Sequence, residues 1–143
     1  MIKQMGCFEV EEVMTIWLKT NIIAHNFIEK DYWIKNYKIV KEEYLQISET
    51  FIYKEDGIIK GFISVIDNLF IGALFVLNEY HRKGVGRKLL KYCQDLYYNL
   101  ELTVYLKNTS SVNFYKHCGF IVEEEKENED SGFMEYVMRY RKF

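Results

Sequence analysis

The chain has 143 residues, 49% of them hydrophobic and 17% aromatic, which is enough apolar material for one sizeable core. Its net charge of −2 lacks the basic excess of a protein devoted to nucleic acid. Cys7, Cys93 and Cys118 are widely spaced with no C-x-x-C pair, and no signal-like or membrane-length apolar run is present. The expectation is a cytoplasmic chain with free thiols, one domain over 1–143, and no membrane or nucleic-acid partner.

Met1–Met5 suits a short first strand. Val10, Val13, Met14, Trp17 and Leu18 recur at helical spacing, and Trp33, Tyr37, Val40 and Tyr44 repeat the pattern. The stretch "NIIAHNFIEKD" between them reads as a loop or a helix break. From Thr50 the pattern changes to strands: "TFIYKEDGIIKGFISVI" is a hairpin turning at Asp56–Gly57, and Asp67–Asn68 makes the next turn. "LFIGALFVL", Leu69 to Leu77, is a continuous apolar run suited to a strand buried on both faces.

A glycine turn follows, and then Val85, Leu89, Cys93 and Leu96 form the inward stripe of a third helix. "ELTVYL", Glu101 to Leu106, alternates as a strand. A short helix over 111–117 stops at Gly119, and two last strands, Phe120–Lys126 and Phe133–Arg139, flank an acidic loop. The order β α α β β β α β α β β is an α/β plan with a mixed sheet.

The stretch "YHRKGVGRKLL", Tyr80 to Leu90, carries the first chemical signal. Two glycines among Arg82, Lys83, Arg87 and Lys88 sit at a strand-to-helix turn, where free backbone N–H groups favour an anion such as phosphate. A P-loop needs G-x-x-x-x-G-K-[ST], which is absent. The dinucleotide fingerprint needs a third glycine where Leu89 stands.

With its flanking strand and helix, "HRKGVG" resembles the acetyl-CoA signature of the GNAT family of N-acetyltransferases, [QR]-x-x-G-x-[GA], with His81 in place of the first residue. "NTSSVNFYKHCGF", Asn108 to Phe120, resembles a second segment of that family, N-x-x-[AS]-x-x-F-Y-x-x-x-G-F. The two segments fall in the family's order, and the predicted element order is also the family's. The resemblance implies a single-domain GNAT fold, with a mixed, mostly antiparallel sheet of six or seven strands flanked by helices.

It also implies a site. Backbone N–H groups from Arg82, Lys83, Gly84, Val85, Gly86 and Arg87 would grip the pyrophosphate of acetyl-CoA. Leu74, Phe75 and Val76 would pair with its pantetheine arm, and Asn108 would hydrogen-bond that arm. Tyr115 would be the general acid that protonates the departing thiolate, a task for which a phenol still protonated at neutral pH is suited.

The general base stays open. Some relatives carry a glutamate where Thr103 stands. Glu101 lies on the same strand face, Glu79 would act through water, and His25 sits in the helix-break loop with a suitable intrinsic pKa. Water alone is a further option. Phe70 and His25 are candidates for the acceptor pocket, and the acidic run Glu123 to Asp130 is either a solvated hairpin end or an attraction for a cationic amine. Cys93 reads as core and Cys118 as inert. The histidines show no metal-ligand spacing, so no metal is expected.

The reading is an acetyl-CoA-dependent N-acetyltransferase that moves acetyl directly to a primary amine: a protein lysine, an N-terminus or a small amine. "AHNFI" and "DYW" resemble segments of small bacterial members, some of which acetylate protein lysines. The alternative is a catalytically silent acyl-CoA-binding sensor or interaction module. Monomer and homodimer both stay open.

Overall fold

A short strand, β1 (Ile2–Gln4), opens the chain, which the computed structural model describes over residues 1–142. Two helices follow, α1 (Val10–Ala24) and α2 (Lys30–Ile39). Then come strands β2 (Ser48–Glu55), β3 (Ile58–Ile66) and β4 (Phe70–Val76). Helix α3 (Val85–Leu96), strand β5 (Asn99–Tyr105), helix α4 (Thr109–His117) and strands β6 (Ile121–Glu127) and β7 (Met134–Arg141) complete it. The strands form one seven-stranded sheet in the order β1-β2-β3-β4-β5-β7-β6. Among the described residues every neighbouring pair is antiparallel except β4–β5, which is parallel.

Helices cover both faces of this sheet, and each face has its own core. Val85, Leu89, Leu90 and Cys93 of α3 pack with Val112 and Tyr115 of α4 against Phe51, Ile63, Leu100 and Met138. On the other face, Met14 and Trp17 of α1 and Trp33 of α2 pack against Ile52, Phe62 and Tyr105. Alternation along each strand assigns its side chains to the two cores by turns.

Four sequence expectations shift in detail. The run "NIIAHNFIEKD" is helical as far as Ala24, and the break is confined to the residues before Lys30. The second helical pattern ends in a π-helical turn, Val40–Tyr44, rather than continuing as α-helix. Leu96 is exposed at the last position of α3, while Leu90 and the following Tyr97 take the buried places. The acidic run belongs largely to an exposed edge strand, β6, and only its end lies in the loop.

A fifth difference concerns the site directly. β4 was expected to be buried on both faces, yet only Ile71 within it is fully enclosed. The reason is a break in pairing. Ser64 of β3 pairs with Ala73 and Val65 pairs with Ile71, so Gly72 is the extra residue of a β-bulge. The bend carries β4 away from β5, and the two strands share a single paired position, Phe70 with Glu101. Beyond it they diverge.

Candidate active site

The divergence leaves a cleft walled by Ile71, Gly72, Ala73, Leu74 and Phe75 on one side and by Leu102, Thr103, Val104 and Tyr105 on the other. The backbone of β4 is not fully used there. Leu77 N–H donates to Lys60 O at 2.9 Å, and an antiparallel pair alternates bonded and unbonded positions. Counting back by twos, Phe75 and Ala73 bond β3, whereas Leu74 and Val76 turn their N–H and C=O groups away from it, and of these only the Val76 C=O is already engaged, by His81. This open edge can accept an extended, amide-bearing chain as a further strand would.

At the far end of β4 a 3-10 turn, Asn78–Tyr80, leads into the glycine segment. Arg82 and Gly84 both adopt left-handed backbone, with φ of 64° and 79°. Lys88 N–H is the first to bond within α3, to Gly84 O, so the amides of Val85, Gly86 and Arg87 are the free donors of a helix start. The side chains of Arg82, Lys83, Arg87 and Lys88 are exposed, and none belongs to an ion pair of the described residues. Partial positive charge at the helix end and four free cations together suit a pyrophosphate. A Cβ on Gly86 would meet Val76 Cγ2 at 3.6 Å and Phe114 Cζ at 3.8 Å, ordinary contact distances. His81, at the variant first position of the signature, donates from Nε2 to Val76 O at 2.7 Å.

Tyr115 and Asn108 stand on the opposite wall, both lining the cleft. The Tyr115 ring packs edge-on to Phe114 and Phe120, and the residue is 8% exposed. Burial holds its phenol above the ordinary tyrosine pKa, so it carries a proton at neutral pH. Asn108 is the N-cap of α4, where its Oδ1 accepts from Ser111 N–H at 3.3 Å.

His25 completes a chain of fixed polarity behind Asn108. Asn21 Nδ2 donates to Trp17 O at 2.9 Å, which turns Asn21 Oδ1 toward His25 Nδ1 at 3.0 Å. Nδ1 therefore bears the proton, and Nε2 accepts from Asn108 Nδ2 at 3.2 Å. Burial lowers the imidazole pKa to about 4, so the ring is neutral near pH 7. Both of its nitrogens are occupied. Asn21, four residues before His25 on α1, carried no sequence signal beyond that helical spacing.

The cleft opens into a groove of about 490 Å³ between α1, α2 and strands β3 and β4. Phe70 lines it, with Trp17, Tyr32, Trp33 and Ala73. Trp33 Nε1 is buried there without a hydrogen-bond partner among the described residues. The β6–β7 loop crosses its end: Tyr32 donates to Asp130 at 2.6 Å, and Tyr105 donates to Ser131 at 3.0 Å. Asn128 and Glu135 also line the cleft, and neither was singled out in the sequence. Glu79 sits in the exposed 3-10 turn and is not among the residues lining cleft or groove. Glu101 is paired with Arg139 at 2.9 Å.

Comparison with known proteins agrees with this fold. Over 140 residues the chain is 29% identical to the peptidyl-lysine N-acetyltransferase YiaC of Escherichia coli, covering 98% of this chain and 96% of that one. It is 27% identical over 124 residues to the peptidyl-lysine N-acetyltransferase YjaB of Escherichia coli, with 87% and 84% covered. The solution structure of apo YjaB from Escherichia coli superposes with a TM-score of 0.82 at 23% identity, over 98% of this chain and 96% of that one. The PaiA N-acetyltransferase of Thermoplasma acidophilum, solved with coenzyme A, gives 0.84 at 19% identity over 99% and 98%. Residues 19–142 match the acetyltransferase (GNAT) domain, and the chain belongs to the GNAT acetyltransferase family.

Proposed function

We propose that this acetyltransferase moves the acetyl group of acetyl-CoA to the side-chain amine of a lysine in a protein or peptide, acting as one cytoplasmic domain over 1–143. The observation that carries the reading is the open edge of β4, where Leu74 leaves its backbone N–H and C=O unpaired with β3 and lines the same cleft as Asn108 and Tyr115. Leu74, Phe75 and Val76 would hold the pantetheine arm, with Asn108 on its far side. The turn from Arg82 through Lys83, Gly84, Val85 and Gly86 to Arg87 would hold the pyrophosphate. Acetyl-CoA brings the thioester; the protein supplies position, charge and protons.

The Leu74 N–H, turned from β3 toward the cleft, stabilises negative charge developing on the thioester oxygen. Tyr115, still protonated, gives its proton to the leaving sulfur. His25, neutral and doubly hydrogen-bonded, is a positioning residue: it fixes the amide of Asn108. The choice of lysine is supported by what the two relatives are named for and by the aromatic groove, whose Trp17, Tyr32 and Trp33 suit an alkyl stem ending in a cation.

The test is acetyl-CoA turnover, followed as thiol release and product mass, with a lysine peptide, spermidine and an aminoglycoside compared. Transfer to the lysine ε-amine ahead of the others is the expected result. Preference for a small amine overturns the acceptor, and binding of acetyl-CoA with no transfer overturns the enzyme.

A further inference from the structure

We infer that the Glu135 carboxylate receives the ammonium of the acceptor and takes the first proton that its nitrogen must lose. The inference rests on the acetyl-transfer reading above, but not on which amine is the acceptor. Glu135 is on β7, 6% exposed, opposite Tyr105 of β5 in register, and it lines the same cleft as Leu74, Thr103, Asn108 and Tyr115. The carboxylate's one hydrogen-bond partner among the described residues is Asn128 Nδ2 at 3.3 Å, which leaves most of its acceptor capacity unused. No ion pair of the described residues includes it. An enclosed carboxylate without a cation is costly, and a bound ammonium removes that cost.

The other groups near the cleft are committed or out of place. Thr103 has no basic atom. His25 donates from one nitrogen and accepts at the other. Glu101 holds Arg139, and Glu79 is outside the cleft. A route to Glu135 also exists, because Trp17, Trp33, Gly72, Ala73 and Asn128 line both the groove and the cleft. An alkylammonium chain passing between the tryptophans and Ala73 brings its charge to the end where Asn128 orients Glu135.

The protons balance. The ammonium gives one proton to Glu135, which later returns it to solvent. The neutral nitrogen then bonds to the thioester carbon, the carbon–sulfur bond breaks, and sulfur takes the Tyr115 proton. The second proton lost by the nitrogen restores Tyr115. The products are an N-acetyl amine, a thiol and one released proton.

Glu135→Gln keeps the shape and the Asn128 contact while removing the charge. Around Glu135 the titratable groups are Tyr105 on β5, Lys126 at the paired position of β6, Asp130 in the loop, and His25 and Tyr115 across the cleft. All are retained in the variant. The acceptors are N-α-acetyl-lysine amide and spermidine, with N-α-acetyl-norleucine amide as the uncharged control. At pH 7 the variant should lose roughly a hundredfold in kcat/KM with either amine and keep its affinity for acetyl-CoA. The deficit should shrink steadily toward pH 10, where the free amine forms without help. Calorimetry on the complex with CoA should show at least tenfold weaker binding of N-α-acetyl-lysine amide and no change for the norleucine control. A purely structural role would lower activity at every pH alike, and that result overturns the inference, as does wild-type turnover in the variant. Wild-type activity on spermidine alone would sink the lysine acceptor while leaving Glu135 to be judged on spermidine.

Discussion

The proposed donor side and the proposed acceptor side of the cleft are built from different materials. The donor side is mostly main chain: the free edge of β4 and the amides at the start of α3, set by left-handed Arg82 and Gly84. The acceptor side is mostly side chains, and they come from several elements: Trp17 from α1, Tyr32 and Trp33 from α2, Asn128 and Asp130 from the β6–β7 loop, Glu135 from β7. Main-chain sites demand a particular backbone path and tolerate varied side chains around it. Side-chain sites demand particular residues and tolerate varied paths, which is how one fold serves many acceptors.

The sharpest way to break this contrast is at Gly86. Gly86→Glu sets a carboxylate among the amides proposed to hold a pyrophosphate, and acetyl-CoA binding by calorimetry should fall beyond detection. The fold should survive, because a Cβ there meets its neighbours at 3.6 Å and 3.8 Å. For the same reason Gly86→Ala should stay within a few-fold of wild type. Equal loss in both variants would mean that packing, rather than charge beside the amides, governs the position.

Tyr115→Phe is the next largest effect and probes a side chain proposed to serve the donor. The ring stays packed on Phe114 and Phe120, so cofactor affinity should hold. The kcat should fall by roughly a hundredfold or more, the usual reach of a general acid. Turnover like wild type would reduce Tyr115 to a packing residue.

The smallest effect separates a carboxylate of the fold from one of the cleft. Glu9 is buried at the edge of the sheet, where it accepts from Gly6 N–H at 2.8 Å and Lys54 Nζ at 2.9 Å, with Lys3 Nζ at 3.3 Å. The Gly6 amide and then Lys54 hold its pKa down to about 2. A carboxyl whose folded pKa is depressed stabilises the fold above its unfolded value. That stability is lost as pH falls from about 4.5 toward about 2. In Glu9→Gln, thermal unfolding should lose this acid limb while kcat at pH 7 is unchanged. An identical acid profile would show that other carboxyls set the low-pH stability.

The same contrast explains what could be read before the structure. The element order and the turn Arg82–Arg87 were legible because apolar period and glycine placement are local signals. Asn108 and Tyr115 were legible because they lie in one contiguous segment. The bulge at Gly72 was not, since an apolar run gives no sign of which residue drops out of register. Glu135 was hidden for a related reason. It sits beside acid-rich sequence, and only the pairing with Tyr105 and the contact with Asn128 turn it inward. His25 was visible as a residue but not as a link, because its partners lie 4 and 83 positions away.

β6 ends the sheet with all seven of its residues exposed, and four of them are glutamates. An unpaired strand edge is a template on which another chain can add itself. Here an incoming copy of the same strand would set carboxylate against carboxylate, and the repulsion discourages growth from copy to copy. The guard is electrical, so it weakens where salt screens it. In salty solution this edge is where self-association would begin.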